Sequence, residues 1–126
     1  MKIVTLRSTA DDCPTDRTCP SIHDVDTDPQ RRYVISKKVT DVAEMLAFAS
    51  YIGDGQLLGY LPAGFVPSTN PMLDRTRDVR GQAVRPDRQY VIVTEVTDPL
   101  TLALFAHLIA TDEQLGYVPV HELLEV

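Results

Sequence analysis

Apolar and polar positions along this chain change rhythm in a fixed order, and the order occurs twice. Over 33–39, "YVISKKV" puts Tyr33, Ile35 and Val39 on one side of a period-two pattern rich in β-branched and aromatic residues, which predicts a strand. The period then lengthens. Val42, Met45, Leu46, Ala49 and Ile52 follow helical spacing, with Asp41 placed as N-cap and Glu44 three residues later completing a capping box. The glycines of "GDG" at 53–55 stop this helix, and 56–61 reads as a closing strand ended by Pro62. The same succession begins again at Tyr90. A strand over 90–96 leads to Asp98 as cap and Pro99 at the first helical position, where a missing N–H costs nothing. Leu102, Ala103, Ala106 and Ile109 then keep helical spacing, and a strand over 114–118 ends at Pro119.

The two passes align without a gap. Residues 29–62 lie over 86–119 at an offset of 57, and 15 of the 34 positions are identical, including the blocks YVI, VTD, FA and LGY. Average residue usage would give about two identities by chance. Two copies are too few for a solenoid, so they are expected to pack on each other around a pseudo-twofold axis. Each reads β-α-β. Interleaving two such units predicts an α+β fold of ferredoxin-like plan, a four-stranded antiparallel sheet with both helices on one face and the other face open. An extra N-terminal edge strand is expected over 3–6, and two βαβ lobes docked side by side are the alternative. With 126 residues the chain is expected to form a single domain (1–126): an N-terminal arm (1–28), repeats 29–62 and 86–119, and a connecting loop (63–85) that is long for a hairpin.

The arm and first strand, "CPSIHDVD…RRYVISKKVTD", resemble the CP-T-[VI]-[HY]…YVV…VTD opening of small uncharacterised actinobacterial proteins. The matching positions are Cys19, Pro20, Ile22, His23, Arg32, Tyr33, Val34, Val39, Thr40 and Asp41. The family pattern has Gly after the Arg and after the first strand, where this chain does not. Such proteins usually carry one unit, whereas this chain reads as a doubled form. They are often encoded beside helix-turn-helix regulators, so the resemblance implies a regulatory or accessory role and no particular activity.

Charge narrows the partners. The formal net charge is −6, distributed as −3 over 1–28, +1 over 29–66, +2 over 67–85 and −6 over 86–126. An acidic chain lacks the basic field that double-stranded nucleic acid or an anionic membrane surface requires. No run approaches the roughly 18 apolar residues of a membrane helix. The opening residues turn polar too soon for a secretory signal, and two Cys are too few for a disulfide framework, so a cytoplasmic location is expected. A basic middle and an acidic end could pair within one molecule or between copies.

Candidate chemistry is sparse. Cys13, Cys19 and His23 form C-x5-C-x3-H, thiolate and imidazole being good zinc ligands, with Asp24 or Asp26 available as a fourth; free thiols or a local disulfide are the alternatives. His23 beside Asp24 is the best-placed imidazole for proton transfer; His107 reads as a helix residue and His121 as exposed. Tyr60 and Tyr117, each following a Gly, recur between the copies, as do Tyr33 and Tyr90. They serve packing or line a pocket between the repeats. Arg75, Arg77, Arg80, Arg85 and Arg88 form a basic run interrupted by Asp, read as a solvated loop or a contact for an acidic partner. No phosphate loop, dinucleotide fingerprint or nucleophile elbow occurs.

The first expectation is therefore a non-enzymatic protein-interaction or regulatory protein that contacts a protein partner or a second copy of itself as a homodimer, with no cofactor. The alternatives are a small-molecule-binding protein or enzyme using a pocket between the repeats, with Tyr33, Tyr60, Tyr90 and Tyr117 nearby, and an N-terminal metal-binding module.

Overall fold

The computed structural model describes residues 2–8, 20–65, 85 and 87–122. The fold is α+β: six strands joined by antiparallel pairings, with two short helices. In chain order these are β1 (Ile3–Ser8), β2 (Ser21–Val25), β3 (Asp28–Lys38), α1 (Val42–Phe48), β4 (Gln56–Pro62), β5 (Arg88–Glu95), α2 (Pro99–Phe105) and β6 (Glu113–Pro119). A 3₁₀ turn extends each helix, over Ala49–Tyr51 and Ala106–Leu108. The expected edge strand is present as β1, paired with β2. β2 lies within the expected N-terminal arm, where no strand is predicted. Ser21, Ile22, His23 and Val25 are all buried, so β2 shows no alternation, and its register shifts between His23 and Val25.

The open four-stranded sheet with both helices on one face is not the observed arrangement. β3 pairs with β6 over Arg31–Lys37, and β4 with β5 over Gln56–Pro62. Where these ladders approach each other, Lys37 and Lys38 pair with Tyr60 and Gly59, and Thr94 and Glu95 pair with Tyr117 and Gly116. The four strands thus close a ring, β3–β4–β5–β6–β3, and the strands within each βαβ unit meet antiparallel at its corners. Every register relation within this ring has a counterpart 57 residues away. Tyr33 faces Tyr117 as Tyr90 faces Tyr60, and Val34 faces Gly116 as Val91 faces Gly59.

Three apolar clusters follow. Val34, Leu61, Val91 and Val118 pack together with Ile22, Phe65 and Val93 in an interior to which both units contribute. Phe105 of α2 covers Tyr33, Ile35 and Leu115 on the outer side of β3 and β6, while Phe48 of α1 packs with Val39 and Tyr90 on β5, flanked by Leu58 and Tyr60. The helices therefore cover different strand pairs. Both faces of β3 are filled between Tyr33 and Ser36, against the expectation of an open face. Complete burial of Phe48 and Phe105 contributes roughly 1.5–3 kcal/mol apiece.

The helix faces also differ from the expected stripes. Val42, Met45 and Leu46 are exposed, as are Leu100 and Leu102; the buried positions are Glu44 and Phe48 in α1, Thr101 and Phe105 in α2. The caps are as read, with Asp41 accepting from Ala43 N–H and Asp98 from Thr101 N–H. Gly59 and Gly116 lie where strands cross closely. A Cβ at 59 would meet the Ser36 side chain and Gln114 Nε2 (2.9 Å), and one at 116 the Val93 side chain. Part of the charge asymmetry is satisfied inside the molecule, since Lys37 Nζ lies 2.9 Å from Asp112 and 3.5 Å from Glu113.

Candidate functional site

Each helix meets the strand pair beneath it at a polar place, and the two places occupy equivalent positions in the two halves. Under α1 the place is filled. Glu44, fully buried, accepts from Arg88 NH1 through both oxygens (3.1 and 3.0 Å), from the Tyr90 hydroxyl (2.6 Å) and lies 3.0 Å from Arg85 Nε. Arg85 also reaches Asp41 Oδ2 (3.0 Å), so one guanidinium bridges the helix cap and the buried carboxylate. The Arg88 guanidinium stacks over the Tyr60 ring at 3.8 Å. Glu44 is thus a buried anion held by two cations and a phenol rather than the capping-box residue the spacing predicts. Burial, then the hydrogen bond to Glu44, pushes the Tyr90 hydroxyl up to about 12, so it remains a donor. The hydrogen bond from Ala43, then that from Arg85, holds Asp41 below its ordinary value.

Under α2 the same framework surrounds a recess. Arg31 stacks over Tyr117 at 4.1 Å, as Arg88 does over Tyr60. Tyr33 packs on Phe105 with ring centroids 5.3 Å apart and planes at 31°, as Tyr90 packs on Phe48 at 4.7 Å and 31°. Thr101 stands where Glu44 stands in the other half, and its N–H and hydroxyl both donate to Asp98 Oδ2 (3.0 and 2.7 Å). A cavity of about 210 Å³ remains, with walls from both repeats: Arg31 and Tyr33 from the first, Glu95, Asp98, Thr101 and Tyr117 from the second. It is smaller than the roughly 300–1,000 Å³ typical of drug-sized ligand sites. The Tyr33 hydroxyl donates to Asp28 Oδ2 (2.7 Å), and Arg31 Nε lies 3.8 Å from the same oxygen. Burial, then Asp28, pushes Tyr33 up to about 12, so this hydroxyl too is a donor.

Of the four tyrosines singled out in the sequence, the structure brings together Tyr33 with Tyr117 and Tyr60 with Tyr90, in two separate clusters; only the first pair lines the recess. Arg75, Arg77 and Arg80 lie outside the described residues, as do Cys13 and Cys19. His23 is turned inward, 2% exposed, with Nε2 2.6 Å from Ser21 Oγ and Nδ1 3.0 Å from Thr5 Oγ1. Its ring packs edge-on against Phe105, and burial lowers its pKa to about 4. The Ser21–His23 contact has the elements of a nucleophile and base, but both side chains are buried, His23 against Phe105 of α2. Asp24 pairs with Arg32 at 3.3 Å, and Asp26 accepts from Lys2 N at 2.7 Å. Among the described residues no three His, Cys, Asp or Glu side chains are grouped to hold a metal. His107 and His121 are exposed.

Sequence reasoning passed over Arg31, Glu95, Asp98 and Thr101 as site residues. The signal was present in the offset of the halves, where Glu44 becomes Thr101, Lys38 becomes Glu95 and, one residue before the aligned segments, Asp28 falls opposite Arg85, while Arg31, Tyr33, Asp41 and Tyr60 recur unchanged. Compared with known protein families, with curated proteins and with solved structures, the chain matches none.

Proposed function

We propose that this chain is a binding domain for a small polar molecule, held in the recess between β3, α2 and β6. The observation that carries the reading is the recess itself, in which protonated Tyr33, Arg31, Thr101, Asp98 and Glu95 converge beside the Tyr117 ring on a space of about 210 Å³. The recess is smaller and more polar than the mostly apolar sites of drug-sized ligands, which suits a small polar molecule oriented by convergent polar groups. The reading takes up the sequence's alternative of a pocket between the repeats, although of the four tyrosines named there only Tyr33 and Tyr117 line this recess. The interaction role rests on the exposed Val42, Met45 and Leu46 of α1 and Leu100 and Leu102 of α2, apolar side chains with no convergent polar groups to define an occupant.

The test is a screen of neutral, anionic and cationic compounds of amino-acid size, followed by amide chemical shifts. The expected hits move Val96, Thr97 and Thr101 together and saturably. Hits that map only elsewhere, or a library that leaves these amides unmoved, would reject the recess as the site.

A further inference from the structure

Resting on that reading of the recess, we infer that its ligand is a small zwitterion, an amino-carboxylate whose carboxylate lies against Arg31 and Tyr33 and whose cationic group lies against Asp98. The other half of the molecule supplies the template. There the equivalent space is occupied from within by two opposite charges. One is the Glu44 carboxylate, held by Arg88 (3.0 Å) and Tyr90 (2.6 Å). The other is the Arg85 guanidinium, which lies 3.0 Å from both Asp41 and Glu44. The holders recur 57 residues away: Arg31 for Arg88, Tyr33 for Tyr90, Asp98 for Asp41, and Tyr117 for Tyr60 beneath the arginine. The occupants do not recur. Thr101 replaces Glu44 with a side chain too short to carry a carboxylate into the space, and Asp28 replaces Arg85. The cavity corresponds to the two missing charged groups, and the residues that would hold them are in place.

Electrostatics separates the zwitterion from simpler ligands. Among the described residues, Arg31 is the one cation in the wall, against Glu95 and Asp98, and Asp28 lies 3.8 Å from it. A bare carboxylate would add to the acidic side chains of the wall, and a bare amine would leave Arg31 with only its long ionic contact to Asp28, at 3.8 Å. A zwitterion adds no net charge and satisfies both ends. Its carboxylate replaces Asp28 as acceptor of the Tyr33 hydroxyl. That exchange gives up the 2.7 Å bond from Tyr33 to Asp28, whose 30% exposed carboxylate passes to water, and the long Arg31–Asp28 contact.

The full chain is titrated with glycine, β-alanine and 4-aminobutyrate, and with the singly charged analogues butyrate and butylamine, reading the Val96, Thr97 and Thr101 amides. At least one zwitterion is expected to bind about tenfold or more tighter than either analogue. Arg31→Gln is expected to weaken it by a similar factor. A chain carrying both Asp28→Arg and Thr101→Glu, which refills the recess from within, is expected to stay folded and lose binding. If butyrate or butylamine binds there as tightly as the zwitterion, or Arg31→Gln leaves affinity unchanged, the zwitterion is overturned and the recess stands. If none of the five moves these amides, the zwitterion is likewise overturned. The recess falls with it only when the wider compound screen also leaves them unmoved.

Discussion

Glu44 gathers two arginines and a phenol around one carboxylate. Its side chain is fully buried, and its two oxygens are met by Arg88, Arg85 and Tyr90. Removing one member of such a set strands the rest in a site built for opposite charge, which costs roughly 3–5 kcal/mol where partners are buried. Arg85 is half-exposed and Arg88 little exposed, so the low end applies. Glu44→Ala is expected to lower unfolding stability by about 3 kcal/mol. The denaturation midpoint should move with an unchanged slope, and a change under about 1 kcal/mol would show the ion pairs to be dispensable. His23 gives a second expectation, tied to pH. Its folded pKa, lowered to about 4 by burial, sits below the 6.5 of the unfolded chain. Between those values the unfolded state binds the extra proton, so stability falls as pH drops from 6.5 to 4 and this contribution is flat below. The full difference is about 3 kcal/mol. Asp41 and Asp98, held below their ordinary carboxylate values, titrate beneath that window. Urea unfolding at pH 7 and pH 4.5 should therefore differ less in His23→Gln than in the parent; equal differences would remove His23 as the cause.

Elements were legible in the sequence where their local signals and their tertiary setting agreed. The closing strands, β5, the Asp41 and Asp98 caps and the edge strand near the N-terminus lie close to their expected places, because period-two alternation, capping oxygens and terminal prolines act locally, whereas β3 begins five residues before the expected Tyr33. β2 was not legible, because burial on both faces erases alternation. The helix faces were misread for a related reason. In seven-residue helices a stripe of Val42, Met45 and Leu46 competes with Glu44 and Phe48, and hydrophobicity alone selects the former. Identity between the halves points the other way. Phe48 and Phe105 are the same residue and are wholly buried, whereas Met45 and Leu46 align with Leu102 and Ala103 and are all exposed. A site of this kind is hidden from motif reading, since it consists of ordinary residues made distinctive by a missing partner. Only the comparison of Glu44 with Thr101 and Arg85 with Asp28 exposes it.

At the scale of the whole molecule, the decisive feature is that neither unit completes its own ladders. β3 finds its long partner in β6, and β4 finds its own in β5, so the first-unit strands are paired mainly with second-unit strands. The interior has the same composition, with Val34 and Leu61 packing against Val91 and Val118. Each helix also covers a floor drawn from both units. Phe48 stacks on Tyr90 at 4.7 Å and Phe105 on Tyr33 at 5.3 Å. Dividing the chain between 66 and 84 would therefore expose both long ladders and open all three apolar clusters at once. Net stabilities are only about 5–15 kcal/mol, so neither piece should fold alone. Each fragment is expected to give a collapsed amide spectrum by itself. An equimolar mixture should recover dispersion and cooperative unfolding, because the ring closes equally well across a break in the connecting segment. A dispersed, cooperatively unfolding spectrum from the first fragment alone would mean that β1–β4 with α1 hold a core of their own, and that the interlocked ladders add to stability without being required for the fold.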